Sequence, residues 1–125
     1  MDKQRDSLRD KVIGLAIEVH RSLGPGLLES AYGECLSLEL NEHGLSHARQ
    51  VPLPIVYKTL RLDCAYRLDF VVEGKLVLEL KAVERLLPVH KAQLLTYLKL
   101  SGHKTGLLLN FNEVILRDGL IRMVH

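Results

Sequence analysis

The residues best placed to do chemistry lie in one segment, Tyr66-Arg-Leu-Asp69-Phe-Val-Val-Glu-Gly-Lys-Leu-Val-Leu-Glu79-Leu-Lys81-Ala82. Read as strand, its second half puts Leu76, Leu78, Leu80 and Ala82 on one apolar face and Val77, Glu79, Lys81 and Val83 on the other. In the first half Leu68, Phe70 and Val72 share a face, with Asp69 between Arg67 and Val71 on the opposite one. Charges that interrupt so dry a strand are costly unless they are paired or bind a metal. Two converging carboxylates suit Mg²⁺ or Mn²⁺, which want hard oxygen ligands and keep some of their water. Lys81 points the same way as Glu79, within reach of an attacking water or a phosphate oxygen. The plain alternative is a cross-strand ion pair, Asp69–Lys81 or Glu79–Lys81, with no chemistry.

Whether the two acids meet depends on the turn between them. Side chains alternate, so Asp69 and Glu79 share a face only if opposed residue numbers sum to an even value. A regular two-residue turn would separate them, whereas a three-residue loop at Glu73-Gly74-Lys75 with a left-handed position brings them together.

The surrounding pattern supplies the elements that must position these groups. Apolar residues at Leu8, Val12, Leu15, Ala16, Val19 and Leu23 predict a helix from about Ser7 to Leu23, broken by Gly24-Pro25-Gly26. A second helix is expected from about Leu28 to His43, closed by Gly44. Pro52 and Pro54 keep the next stretch extended and at a sheet edge. Three strand-like runs follow, Ile55 to Lys58, Leu62 to Val72 and Leu76 to Val83. Pro88 opens a helix to about Leu100, and Thr105 to Phe111 is a short apolar strand. Val114 to Arg117 and Leu120 to Val124 around Asp118-Gly119 read as a C-terminal β-hairpin. The order predicts an α/β sandwich with a mixed sheet. If the strands flanking the Pro88 helix share a sheet, they form a right-handed crossover.

The chain has 125 residues, 47% of them hydrophobic and 26% charged, which fits one domain over residues 1–125. No apolar run approaches the roughly 18 residues of a membrane span. The start, Met1 to Asp6, lacks the features of an export signal, so a cytoplasmic chain with Cys35 and Cys64 reduced is expected. A net charge of +2 says little about partners, but its distribution is uneven. Glu18 to Leu45 holds Glu18, Glu29, Glu34, Glu39 and Glu42 against Arg21 alone, while Arg85 to Asn112 holds Arg85, Lys91, Lys99 and Lys104 and no acid. Such a chain can present a phosphate-facing side beside a metal-binding cluster, although solvated surface charge explains it equally well.

Polar residues of the right kind recur on two helices: Glu29 and Tyr32 three apart, Gln93 and Tyr97 four apart, with His90 one turn earlier. Taken singly, each reads as a helix-end acid or an amphipathic edge. Together, Gly26-Leu-Leu-Glu29-Ser-Ala-Tyr32 resembles the signature of the GxxExxY protein family, and Asp69…Glu79-Leu-Lys81 resembles the core motif of the PD-(D/E)XK nuclease superfamily to which that family is assigned. Gln93-x-x-x-Tyr97 is similar to the motif of its RecB-like branch. The resemblance implies a restriction-endonuclease-like αβββαβ core. It implies Asp69, Glu79 and the carbonyl of Leu80 as metal ligands, Lys81 as the catalytic lysine and Glu29 as a further ligand or metal-water partner. Gln93, Tyr97, Tyr32 and His90 would then position the substrate. RecB-like nucleases usually carry a glycine three residues before the aspartate, where this chain has Tyr66, so a different substrate groove is expected.

The implied reaction is hydrolysis of a phosphodiester in nucleic acid, DNA rather than RNA, by a metal-activated water. Two other classes fit the same residues: a nucleic-acid-binding or regulatory module that keeps the fold without cleaving, and a partner-binding domain in which the charges are an ion-pair cluster. The oligomeric state is left open, a homodimer included.

Overall fold

The computed structural model describes residues 3–125. The side chains of residues 3–6, Cys64 and Ala65 lie outside the described residues, and with them the expected thiol of Cys64. Helix α1 runs Lys3–Leu23 and α2 runs Glu29–Glu42, followed by strands β1 His47–Tyr57, β2 Leu60–Val72 and β3 Leu76–Lys81. Helix α3 spans Pro88–Ser101, then β4 Thr105–Asn110, a short 3-10 turn Leu116–Gly119 and β5 Leu120–Val124. The five strands form one sheet in the order β1-β2-β3-β4-β5. β3 and β4 are parallel, joined through α3, and the other neighbours are antiparallel. This is the mixed α/β sandwich that the pattern predicts.

Each helix ends where glycine lets the chain turn left-handed. The Gly24 amide bonds the carbonyl of His20 at 2.7 Å, and Gly102 bonds Leu98 at 3.0 Å. After α2, Leu45 N–H reaches Leu40 at 2.9 Å and Gly44 N–H reaches Asn41 at 3.1 Å. That pair of hydrogen bonds is a Schellman end, and both leucines belong to the same core.

The sheet has a core on each face. Val12, Ala16, Val19, Leu36 and Leu40 from α1 and α2 pack on Leu76, Leu78, Leu80 and Leu109. On the other face Leu94 and Leu98 of α3 pack on Val77 and Leu108. The alternation of β3 is therefore as expected, but that of β2 is not. Phe70 and Val72 lie in the α1–α2 core, whereas Leu68 joins Val71 on the α3 side. The break falls at Asp69. Opposite it Gln50 is at φ 51°, and Gln50 and Asp69 drop out of the β1–β2 pairing between Arg49↔Phe70 and Val51↔Leu68. Irregular backbone of this kind re-aims side chains next to functional sites.

The C-terminal segment differs from the expected pair of strands around Asp118-Gly119. Val114 to Arg117 does not pair with Leu120 to Val124; β5 returns to pair with β4, from Thr105↔Val124 to Leu109↔Leu120. A buried apolar strand such as β4 needs a partner on its outer edge, and β5 supplies it. Leu116 anchors the connecting turn in the α1–α2 core. Gly119 sits so close to Asn110 and Glu113 that an added Cβ would lie 2.6 Å from the Glu113 side chain. That glycine serves a close approach, not a hairpin turn.

Candidate active site

The β2–β3 ladder runs Val72↔Leu76, Val71↔Val77, Phe70↔Leu78 and stops. The loop between them has three residues, with Glu73 at φ 53° and Gly74 at φ 65°. Opposed numbers sum to an even value, so Asp69 stands opposite Glu79. There the two strands part, and side chains take over from backbone. Asp69 N–H donates to Glu79 Oε2 at 2.9 Å, and Leu80 N–H donates to Asp69 Oδ2 at 2.9 Å. Each acid thus staples its strand to the other across a fork. Asp69 Oδ1 and Glu79 Oε1 have no protein hydrogen bond among the described residues.

Glu79 is only 6% exposed. Burial, with the charge of Asp69 second, pushes its carboxyl up to about 8, against the pull of the Asp69 amide and of Lys81. Burial also raises Asp69, opposed by the Leu80 amide, Lys81 and Arg49. Glu29 is raised by burial and by Asp69, and Lys81 acts against both. Tyr97 is raised by burial first and then by Glu79. Three acids, a lysine and a tyrosine from β2, β3, α2 and α3 therefore share one field. Lys81 forms no ion pair with any of the acids among the described residues. The cross-strand ion pair that would make the cluster inert is not formed.

Glu29 owes its place to Gly26 and Tyr32. Gly26 is at φ 97°, a conformation other residues rarely adopt. The Tyr32 hydroxyl donates to Gly24 O at 2.6 Å and accepts from Leu27 N–H at 3.1 Å, closing the α1–α2 loop. Its ring stacks on Phe111 at 4.7 Å, and Gly26 N–H reaches Asn112 Oδ1 at 3.1 Å. Tyr32 is fully buried, so it builds the loop and has no face for a substrate. Glu29, the first residue of α2, lines a cavity of about 120 Å³ together with Asp69, Arg49 and Gln50.

His90 is likewise committed, its Nδ1 accepting the Leu87 N–H at 2.9 Å at the start of α3. Gln93 and Tyr97 line a separate groove of about 360 Å³ with Ile55, Tyr66 and Thr96. Tyr66, at the position of the expected glycine, is 45% exposed and its ring lies 6.2 Å from that of Tyr97. It forms one wall of that groove.

Two residues at the site escape a reading of the sequence. Asn110, opposite Lys81 and fully buried, donates to Val83 O at 2.9 Å and accepts from Val83 N–H at 3.0 Å. It ties the exit of β3 to β4, beside the bond from Phe111 N–H to Lys81 O at 2.8 Å. Arg49 lines the same cavity as Glu29 and Asp69. The alternation Val51, Leu53, Ile55 that follows it is interrupted by Gln50, Pro52 and Pro54, so the local pattern does not signal that β1 reaches back to Arg49.

Among the described residues no three of His, Cys, Asp and Glu stand together as a formed metal cluster. The donor chemistry nevertheless suits a hard cation: a buried and a half-buried carboxylate with a free oxygen each, and a third acid at the cavity. No helix among the described residues is long and apolar enough to cross a membrane. A model of the PD-(D/E)XK nuclease superfamily matches residues 6–123. No curated protein and no solved structure matches the chain.

Proposed function

The chain belongs to the PD-(D/E)XK nuclease superfamily, and from that premise we propose that it hydrolyses phosphodiester bonds of nucleic acid, DNA in the first instance, with Mg²⁺ or Mn²⁺ held at Asp69 and Glu79. The observation that carries this reading is the fork, where the buried Glu79 and the half-buried Asp69 span two parting strands with Lys81 beside them and paired to neither. A bound divalent cation would supply Lewis-acid activation of water and neutralise phosphate charge. Asp69 and Glu79 would hold it through their free oxygens, with the Leu80 carbonyl and Glu29 as further oxygen donors. Lys81 keeps an unpaired ammonium on a flexible stem, suited to orient the water oxygen or to meet charge building on the phosphate. Tyr97 and Gln93 line the neighbouring groove and would guide the strand to it.

The test is cleavage of labelled DNA and RNA with EDTA, Mg²⁺ or Mn²⁺. Wild type should cut only with the cation, and Lys81→Ala should lose about 10²–10³ in rate while still binding Mn²⁺. Cutting that persists in purified Lys81→Ala would refute the assignment. Binding without cutting under every metal would instead favour a nucleic-acid-binding module on the nuclease fold.

A further inference from the structure

Arg49 is placed by contacts with both β2 and α2. It pairs with Phe70 in the β1–β2 ladder, and its guanidinium carbon lies 5.1 Å from the centre of the Phe70 ring. Its Nη1 pairs with Glu34 of α2. Its Nε is buried and has no hydrogen-bond partner among the described residues. The guanidinium crosses α2 at Gly33, where an added Cβ would lie 2.9 Å from Nη2. The side chain is still 31% exposed and lines the cavity that also holds Asp69 and Glu29.

A fixed guanidinium beside a carboxylate cluster has a clear use. The acids that attract a cation repel a phosphate, so a phosphate arriving there needs a positive group on its other side. A planar fork offers paired N–H donors that match phosphate oxygens. Its present partner, Glu34, is 71% exposed, and an exposed ion pair is held weakly. Resting on the nuclease reading of the fork, we infer that Arg49 forms a phosphate subsite for the nucleic-acid backbone, and that Glu34 occupies its fork until a phosphate displaces it. Gly33 keeps α2 low enough for the guanidinium to lie flat.

This picture makes three variants move in different directions. Binding of a fluorescein-labelled DNA oligonucleotide is measured in EDTA, where no cutting is expected, over a range of salt. Arg49→Ala should weaken binding about tenfold and reduce the salt slope by about one phosphate contact. Glu34→Gln removes the competitor from an exposed position and should tighten binding severalfold, a gain that shrinks in the Arg49→Ala background. Gly33→Ala pushes aside only the end of a flexible side chain, so it should fold as well as wild type or better and still bind DNA more weakly. Mn²⁺ binding should persist in all three. Wild-type affinity and salt slope in Arg49→Ala would overturn the subsite while leaving metal-dependent cutting of wild type intact. Wild type that binds no DNA, with or without Mn²⁺, would overturn both the subsite and the nuclease reading. DNA binding with the Arg49 effects but no cutting would support the subsite and sink cleavage alone.

Discussion

With its carboxyl pushed up to about 8 by burial and by Asp69, Glu79 holds a proton at neutral pH when no cation replaces it. A glutamate in the unfolded chain loses that proton near 4.5. Between these two values the native state binds more protons than the unfolded one, so stability falls as pH rises. The contribution is fully present below about 4.5 and is lost through about 8. Asp69 and Glu29, raised chiefly by burial as well, add the same sign. Glu73, lowered chiefly by its hydrogen bond from Ser46, acts below its ordinary range and outside this window. Urea unfolding in EDTA should therefore show wild type weakening from pH 5 to pH 8 (roughly the span between the two proton affinities). Glu79→Gln, which keeps an oxygen for the Asp69 N–H, should flatten that decline. An unchanged slope in the variant would assign the titration to other groups. Asp69, Glu79 and Lys81 were legible in the sequence because charge in a dry strand is an anomaly. Arg49 and Asn110 were not. Arg49 stands before the apolar alternation of its strand begins, and each acquires its meaning only from residues far away in the chain, Glu34 and Gly33 for one and Val83 for the other.

Elements translate that chemistry into position, and the α1–α2 loop shows how. Gly26 supplies a left-handed turn, the Tyr32 hydroxyl closes the loop, and Glu29 starts the helix facing the cavity. Tyr32→Phe keeps the stacked ring but leaves the Leu27 amide and the Gly24 carbonyl without that partner. It should cost about 1–3 kcal/mol in stability. If Glu29 serves the cation, the loosened loop should also weaken Mn²⁺ binding. Glu29→Gln provides the contrast, with weaker Mn²⁺ binding and no loss of stability, because it removes a like charge beside Asp69. Equal Mn²⁺ affinity in wild type and Glu29→Gln would remove Glu29 from the ligand set. Legibility at this scale followed the strength of the period. The three helices and β4 lie within a few residues of their expected spans, since long or wholly buried segments carry strong patterns. β1 begins at His47, well before the expected Ile55, because its half-exposed alternation Arg49, Val51, Leu53 mixes with polar residues. Asp118-Gly119 has the composition of a hairpin turn, but the open edge of β4 captures β5 and leaves the dipeptide in a 3-10 turn.

Across the whole molecule the fork is the place where both cores meet the same buried charge. Asp69 and Glu29 face the cavity beside α2, Glu79 influences Tyr97 of α3, and Asn110 locks the exit of β3 to β4. Without a cation the domain carries the cost of confining these acids together, met partly by protonation and partly by the two backbone amides. A cation that binds the native fork and not the unfolded chain should then stabilise the entire domain. At a hundred times its dissociation constant the gain is about 2.7 kcal/mol. For a chain of this size that is roughly 10 °C in melting temperature. The gain should grow with pH through about 8, because the proton on Glu79 must leave before the ion enters. Above about pH 8, where Glu79 is ionised beside Asp69, Asp69→Asn and Glu79→Gln should melt no lower than wild type in EDTA, since each removes one of two repelling charges, and neither should respond to Mn²⁺ at any pH. Lys81→Ala should respond as wild type does or more strongly, because it removes a competing positive charge and leaves the carboxylates in place. Differential scanning fluorimetry of the four proteins across pH, with EDTA or Mn²⁺, reads all of this at once. A shift of equal size in wild type and in both carboxylate variants would mean that the ion binds away from the fork, and the buried acids would then be a structural staple alone.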